Sequence, residues 1–124
     1  MVVEHVMLLL LALLQAKHWY VDFVDQSLIE INHKGTYGHW RGIMHSLKHS
    51  IGTMLCVGCV LGPFYWPLSV MLGVLDGVIH YHVDWIKMNC ASSVYEESGF
   101  WAHFGLDQMA HQLTYLFLAA IITL

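Results

Sequence analysis

The sequence predicts an all-α protein, a bundle of four transmembrane helices, and three observations carry that expectation. Of 124 residues, 57% are hydrophobic and only 11% are charged, against roughly 25% charged in ordinary soluble domains. Four stretches are long and apolar enough to be drawn as spans of about 20 residues. Their connections hold no Pro-rich, Ser-rich or low-complexity linker, so residues 1–124 read as one integral membrane domain.

The first span, about 2–24, contains the apolar run Val6 to Leu14. A signal peptide carries Lys or Arg ahead of such a run. Here Glu4 stands in that place and polar residues continue past position 15, which reads as an uncleaved helix. A longer polar connection follows over 25–42, where Leu28, Ile29 and Ile31 point to a short segment at the membrane surface. The second and third spans, about 43–62 and 67–88, are joined by Gly62 to Trp66. Pro63 stops one helix and Pro67 suits the first turn of the next, which makes a tight antiparallel hairpin. The fourth span, about 100–124, follows a polar loop in which Ser98 is the expected helix cap.

Charge sets the orientation. The five basic residues Lys17, Lys34, Arg41, Lys48 and Lys87 fall in or near the 25–42 and 87–99 loops. By the positive-inside rule those loops are cytoplasmic, which places a multi-pass protein in the inner (cytoplasmic) membrane with both termini outside. Phe64, Tyr65 and Trp66 would then join the outer aromatic belt. A net charge of −4 without a basic tract excludes nucleic acid as a partner, and the lipid bilayer is the expected surrounding. Cys56, Cys59 and Cys90 are an odd number, so no disulfide framework is expected, and Cys56 and Cys59 read as helix packing. Gly58 with Gly62, and Gly73 with Gly77, are small-residue pairs that let helices approach closely.

Ten His in so short a chain are the anomaly. Ionisable groups inside a span are costly unless paired or hydrated, and they mark function by default. They recur at steps of four, on one helical stripe per span: His18, Asp22 and Gln26; His45 and His49; Asp76, His80 and Asp84, with Lys87 beyond; His103, Asp107 and His111. Measured back from the cytoplasmic span ends, His18, His49, His80 and Asp107 all lie about 9 to 10 Å inside, and His111 slightly deeper. His5, His33 and His39 read as solvated, and His82 faces away from the His80 stripe. The segment His18 to Phe23 also repeats His80 to Trp85 as His, aromatic, any, Val, Asp, aromatic, which suggests two hairpins related by an axis along the membrane normal.

Imidazole nitrogen and carboxylate oxygen at i and i+4 can chelate a first-row metal from one helix turn. The expected ligands are His18, Asp22, His49, His80, Asp84, Asp107 and His111, for one or two divalent ions, with Zn first and Mn or Fe next. Three or four Asp against Lys87 favour two ions on charge balance; the competing arrangement is a proton-sharing His/Asp network. Lys87 would bind phosphate or stabilise developing negative charge, and Asp76 would be a further ligand or a proton acceptor. Gln26, Gln108, His45 and His103 would hold the ligands in place.

The combined order of His18-x3-Asp22-Phe23-x2-Gln26, His49, His80-x3-Asp84-x2-Lys87 and Asp107-Gln108-x2-His111 resembles a family of small phage and bacterial integral membrane proteins of unknown function. That resemblance implies a four-helix inner-membrane protein and supplies no reaction. More loosely the pattern is similar to membrane-bound metal-dependent hydrolases, whose Thr-His-Ser element would here correspond to Met44-His45-Ser46 or Lys48-His49-Ser50. The two HxxxD pairs also resemble the zinc sites of cation diffusion facilitators, although this chain lacks their six spans. The leading expectation is metal-dependent hydrolysis of a lipid or membrane-associated phosphoester or ester, by a water whose pKa the metal lowers. The alternatives are a divalent-cation or proton transporter, which a homo-oligomer could also form, and a structural or partner-modulating phage membrane protein.

Overall fold

The computed structural model describes residues 2–124; Met1, the first residue of the domain read over 1–124, lies outside the described residues. All regular structure among them is helical: α1 Val2–Trp19, a π-helical turn Tyr20–Val24, α2 Leu28–His33, α3 Trp40–Leu61, a 3₁₀ turn Pro63–Tyr65, α4 Trp66–Cys90 and α5 Ser98–Thr123.

Each boundary has a local cause. α1 is rich in Leu and Ala, strong helix formers, and it widens at its end, where the Asp25 amide donates to Tyr20 O at 2.9 Å. Ser27 and Glu30 start α2 as a capping box, each side chain bonded to the other's backbone amide. Gly62 closes α3 at φ 86°, a conformation that favours glycine, and Pro67 sits in the first turn of α4. The expected cap at Ser98 shifts by one: Ser98 is the first residue of α5, and Glu97 takes the cap position without a side-chain capping bond, its carboxylate accepting from Ser92 Oγ instead.

The four long helices form a ring in which α1 touches α3 and α5, α4 touches the same two, and α2 leans on α3. Neighbours run antiparallel: Lys17 of α1 lies against Gly52 while Asp22 just beyond it meets His45, and along α4 and α5 Lys87 meets Asp107 while Asp84 meets His111. The α3/α4 contact is tightest because α4 presents Gly73 and Gly77. A Cβ at Gly73 would stand 2.6 Å from Ser50 O, so only glycine allows this approach. Gly58 lies against Trp66 and Ser69, so these small-residue positions serve packing within the bundle.

The interior has two zones. Toward the Pro63 turn lies an apolar cluster of Leu10, Leu14, Val57, Leu72, Tyr115 and Leu118, with Cys56 packed beside it. Toward α2 and the 91–97 loop the interior is polar. Fifteen polar or charged side chains are buried against eight apolar ones among the described residues, while Leu8, Leu9, Val70, Met71, Leu113 and Phe117 point outward. Polar groups inside and apolar groups outside invert the usual pattern. By length and composition one helical stretch, Val3–Val24, is apolar enough to cross a membrane. α3, α4 and α5 have 22, 25 and 26 residues; the Asp and His on their inner faces lower their hydropathy.

Candidate metal centre

The π turn carries Asp22, and turns of this kind recur at functional sites because they re-aim one side chain. Gln26 donates to Asp22 O at 2.9 Å and so secures the backbone of that turn. Asp22 Oδ1 thereby enters the bundle, 2.8 Å from His49 Nε2, 3.0 Å from His45 Nε2 and 3.6 Å from His80 Nε2. His45 Nε2 and His80 Nε2 are 3.2 Å apart. Four donors held 2.0–2.1 Å from one tetrahedral ion stand about 3.3 Å from each other, so these spacings fit a metal.

Two more groups adjoin. His111 Nε2 lies 3.3 Å from Asp107 Oδ1 and 3.5 Å from Asp84 Oδ1. His18, His80 and His111 also gather three ring nitrogens within 4.8 Å. The rings of His49, His80 and His111 stack across the bundle at centroid distances of 3.5 and 4.1 Å. Asp84 joins the groups: its Oδ2 is 3.3 Å from His80 Nε2 and 3.5 Å from His45 Nε2. Buried polar groups are normally paired, yet His111 Nε2 and Asp107 Oδ1 have no hydrogen-bond partner here, nor do Nδ1 of His45 and His80. Of these, His111 Nε2 and Asp107 Oδ1 are adjacent lone-pair atoms without a donor, which a cation would satisfy; a His45 or His80 that ligates through Nε2 carries its proton on Nδ1.

The seven expected ligands therefore all lie in these groups, and His45, expected to support them, stands among them fully buried. Gln108 supports two: its Oε1 accepts from His18 Nε2 at 3.0 Å and its Nε2 donates to Asp107 Oδ2 at 3.1 Å. Lys87 donates to the same Asp107 oxygen at 2.9 Å. His103 lies outside the groups, exposed, accepting from the Ser92 amide. Asp76 is one layer deeper and belongs to no ligand group. It is held by Thr53 Oγ1 and by Lys17 Nζ at 2.8 Å.

Lysines are what the sequence left misplaced. Lys17, read as a loop-flanking charge, has its side chain only 6% exposed and also donates to Tyr115 Oη at 3.0 Å and His49 Nδ1 at 3.2 Å. Binding an ion through His49 Nε2 would put the ring proton on Nδ1, so that last contact would give way while Lys17 kept Asp76 and Tyr115. Lys34, read as a loop residue, enters from the end of α2 and stands 2.7 Å from Asp84 Oδ2. The spacing of Leu10, Leu14 and Lys17 is that of one helix face, and Thr53 continues the His45 and His49 stripe by another four residues; for Lys34 the sequence offers no pattern.

Beside Lys87 and Asp107 a groove of about 380 Å³ opens between α4 and α5, with Val83, Ile86, Leu106 and Ala110 as its apolar wall and His103 at its rim. No curated protein and no solved structure matches this chain. The model of one family, described as a protein of unknown function (DUF3307), matches residues 7–124, and the chain belongs to that family.

Proposed function

We propose that the protein is a metal-binding integral membrane protein that hydrolyses a lipid or membrane-associated phosphoester. The observation that carries the reading is the pair of buried, unpartnered atoms His111 Nε2 and Asp107 Oδ1, next to Asp84 and with Asp107 on the wall of the α4/α5 groove. Asp22, His49, His80, Asp84, Asp107 and His111, with His45, would hold one or two divalent ions, Zn first among the candidates and Mn or Fe next, and His18 would stand beside them on Gln108 and Tyr115. An ion there would act as Lewis acid and activate a water. Hydrolysis would consume that water: its oxygen forms the new bond to phosphorus, the bond from phosphorus to the ester oxygen breaks, and one water proton passes to the departing alkoxide.

Charge favours an anionic substrate. Asp76 is neutralised by Lys17 and contributes nothing to the ion layer. Two divalent ions with Lys34 and Lys87 would outweigh the carboxylates of Asp22, Asp84 and Asp107, and a phosphoester would offset the excess.

The outward apolar faces of the helices support the inner-membrane, four-pass reading, because soluble monomers rarely expose large contiguous apolar patches. Exposed aromatics sit at both ends, Trp19, Tyr20, Trp40 and Trp101 near the polar layer and Phe64, Tyr65 and Trp66 at the other. Along α4, Trp66 and Trp85 are separated by about 28 Å at 1.5 Å per residue, close to the hydrocarbon thickness of about 30 Å. The apolar cluster of Leu10, Leu14, Val57, Leu72 and Leu118 closes the bundle beyond Lys17, which counts against a transport path.

The test compares phosphoester turnover in liposomes by wild type, metal-stripped protein and Asp107→Ala, beside metal uptake by the same liposomes. Metal-dependent turnover without uptake is expected. Uptake without turnover would establish the transporter, and absence of bound Zn, Mn and Fe after chelator-free purification and reloading would sink the metal reading.

A further inference from the structure

We propose that the polar layer holds two inequivalent metal positions related by an internal two-fold repeat: a closed one of Asp22, His45, His49 and His80, and an open one of Asp84, Asp107 and His111 beside the α4/α5 groove. This assignment rests on the metal-binding reading above.

The repeat extends far beyond the six residues at His18 and His80. His18 and His80, Asp22 and Asp84, His45 and Asp107, and His49 and His111 are each separated by 62 positions, half of the 124-residue chain. The same interval relates the buried core residues Leu10 and Leu72. In space it exchanges α1 with α4 and α3 with α5, which the ring of helix contacts allows. Applied to Asp22, His45, His49 and His80, it yields Asp84, Asp107, His111 and His18. The first set is gathered as four donors; of the second, three are gathered together.

The fourth member is absent for a visible reason. His18 donates from Nε2 to Gln108 Oε1 and accepts at Nδ1 from Tyr115 Oη, both at 3.0 Å. The residues 62 positions earlier are Ser46 and Thr53, shorter side chains that make no hydrogen bond to His80, whose Nδ1 is unpartnered. His80 is thus available to the first position while His18 is drawn away from the second. Four protein ligands mark a closed, structural type of site, and three with a free position mark a reactive one. The three-ligand position is the one whose Asp107 lines the groove. The exchange of His45 for Asp107, together with the withdrawal of His18, changes the donors from three nitrogens and one oxygen to one nitrogen and two oxygens. The first set suits Zn and the second a harder ion such as Mn.

The experiment uses the full chain in detergent, stripped and titrated with Co²⁺ alone, with stoichiometry from calorimetry, coordination from visible absorption, and helicity of each variant from circular dichroism. Two equivalents are expected, the tighter with the intense absorption of a four-coordinate ion and the weaker with the faint absorption of higher coordination. His49→Gln should weaken the intense equivalent at least about tenfold and spare the faint one, and Asp107→Asn should do the reverse. His45→Asp keeps a ligand in place, so a fold-sensitive loss is avoided; it should retain two equivalents while dimming the intense band. One equivalent lost to either substitution, or two identical ones lost together, would overturn the two-position assignment and leave metal binding standing. Absence of any bound Co²⁺ in the folded wild type would overturn both.

Discussion

Lys17 shows how much one side chain can decide here. Its ammonium and the Asp76 carboxylate are both buried, and each offsets the desolvation of the other. Lys17→Met leaves Asp76 with Thr53 as its remaining partner and should cost about 3 to 5 kcal/mol of stability, the range for breaking a buried ion pair. Replacing both partners, Lys17→Met with Asp76→Leu, should cost less than either single change. A double loss equal to the sum of the two single losses, read from unfolding in detergent, would mean that the pair is not coupled. The sequence exposed the candidate ligands and hid this lysine for one reason: His and Asp at steps of four are rare enough to stand out, whereas a lysine at the end of an apolar run is usually a flanking charge. Only the partner on another helix, 59 positions away, shows which it is.

At the scale of elements, α2 and the α3/α4 seam carry separate expectations. Glu30 on α2 is buried, which raises its pKa, but Lys48 at 2.8 Å and the Ser27 amide outweigh burial and hold the carboxylate below the usual glutamate range. A carboxylate with a lowered folded pKa contributes stability that is present above its unfolded pKa of about 4.3 and lost as pH falls through the folded value. The protection of the α2 amides, taken relative to their intrinsic exchange rates, should therefore fall with acidification below about pH 4.3, and Glu30→Gln should abolish that dependence; an unchanged profile would show that another group docks α2. On the seam, Gly73→Ala pushes a Cβ against the Ser50 carbonyl and should destabilise by about 1 to 3 kcal/mol. Gly105→Ala has no atom within 4 Å of its added Cβ and should stabilise α5 by up to about 1 kcal/mol. Helix number, the short segment at Leu28 and the Pro63 turn were legible because Pro, Gly and apolar runs act locally. The π turn at Tyr20–Val24 was not, since it depends on where Asp22 must point in the assembled bundle.

The whole molecule is organised along one axis, with an apolar plug at the Pro63 end and a charged layer at the α2 end. The sequence showed this asymmetry through the common depth of its His and Asp, but the groove between α4 and α5 depends on how two helices splay and leaves no trace in spacing. The proposed bilayer would complete the arrangement, and two cysteines test for it. Cys59 and Cys90 are both exposed on the protein surface, near opposite ends of the bundle. If only protein packing controlled their reactivity, a charged, membrane-impermeant maleimide would label both. In sealed vesicles with the cytoplasmic face outward, Cys90 should react and Cys59 should not, because Cys59 would be shielded by lipid or on the inner side. Detergent should then make Cys59 reactive as well, since the protein itself does not cover it. Labelling of Cys59 with Cys90 protected would invert the topology, and equal labelling of both in sealed vesicles would remove the bilayer from around this bundle.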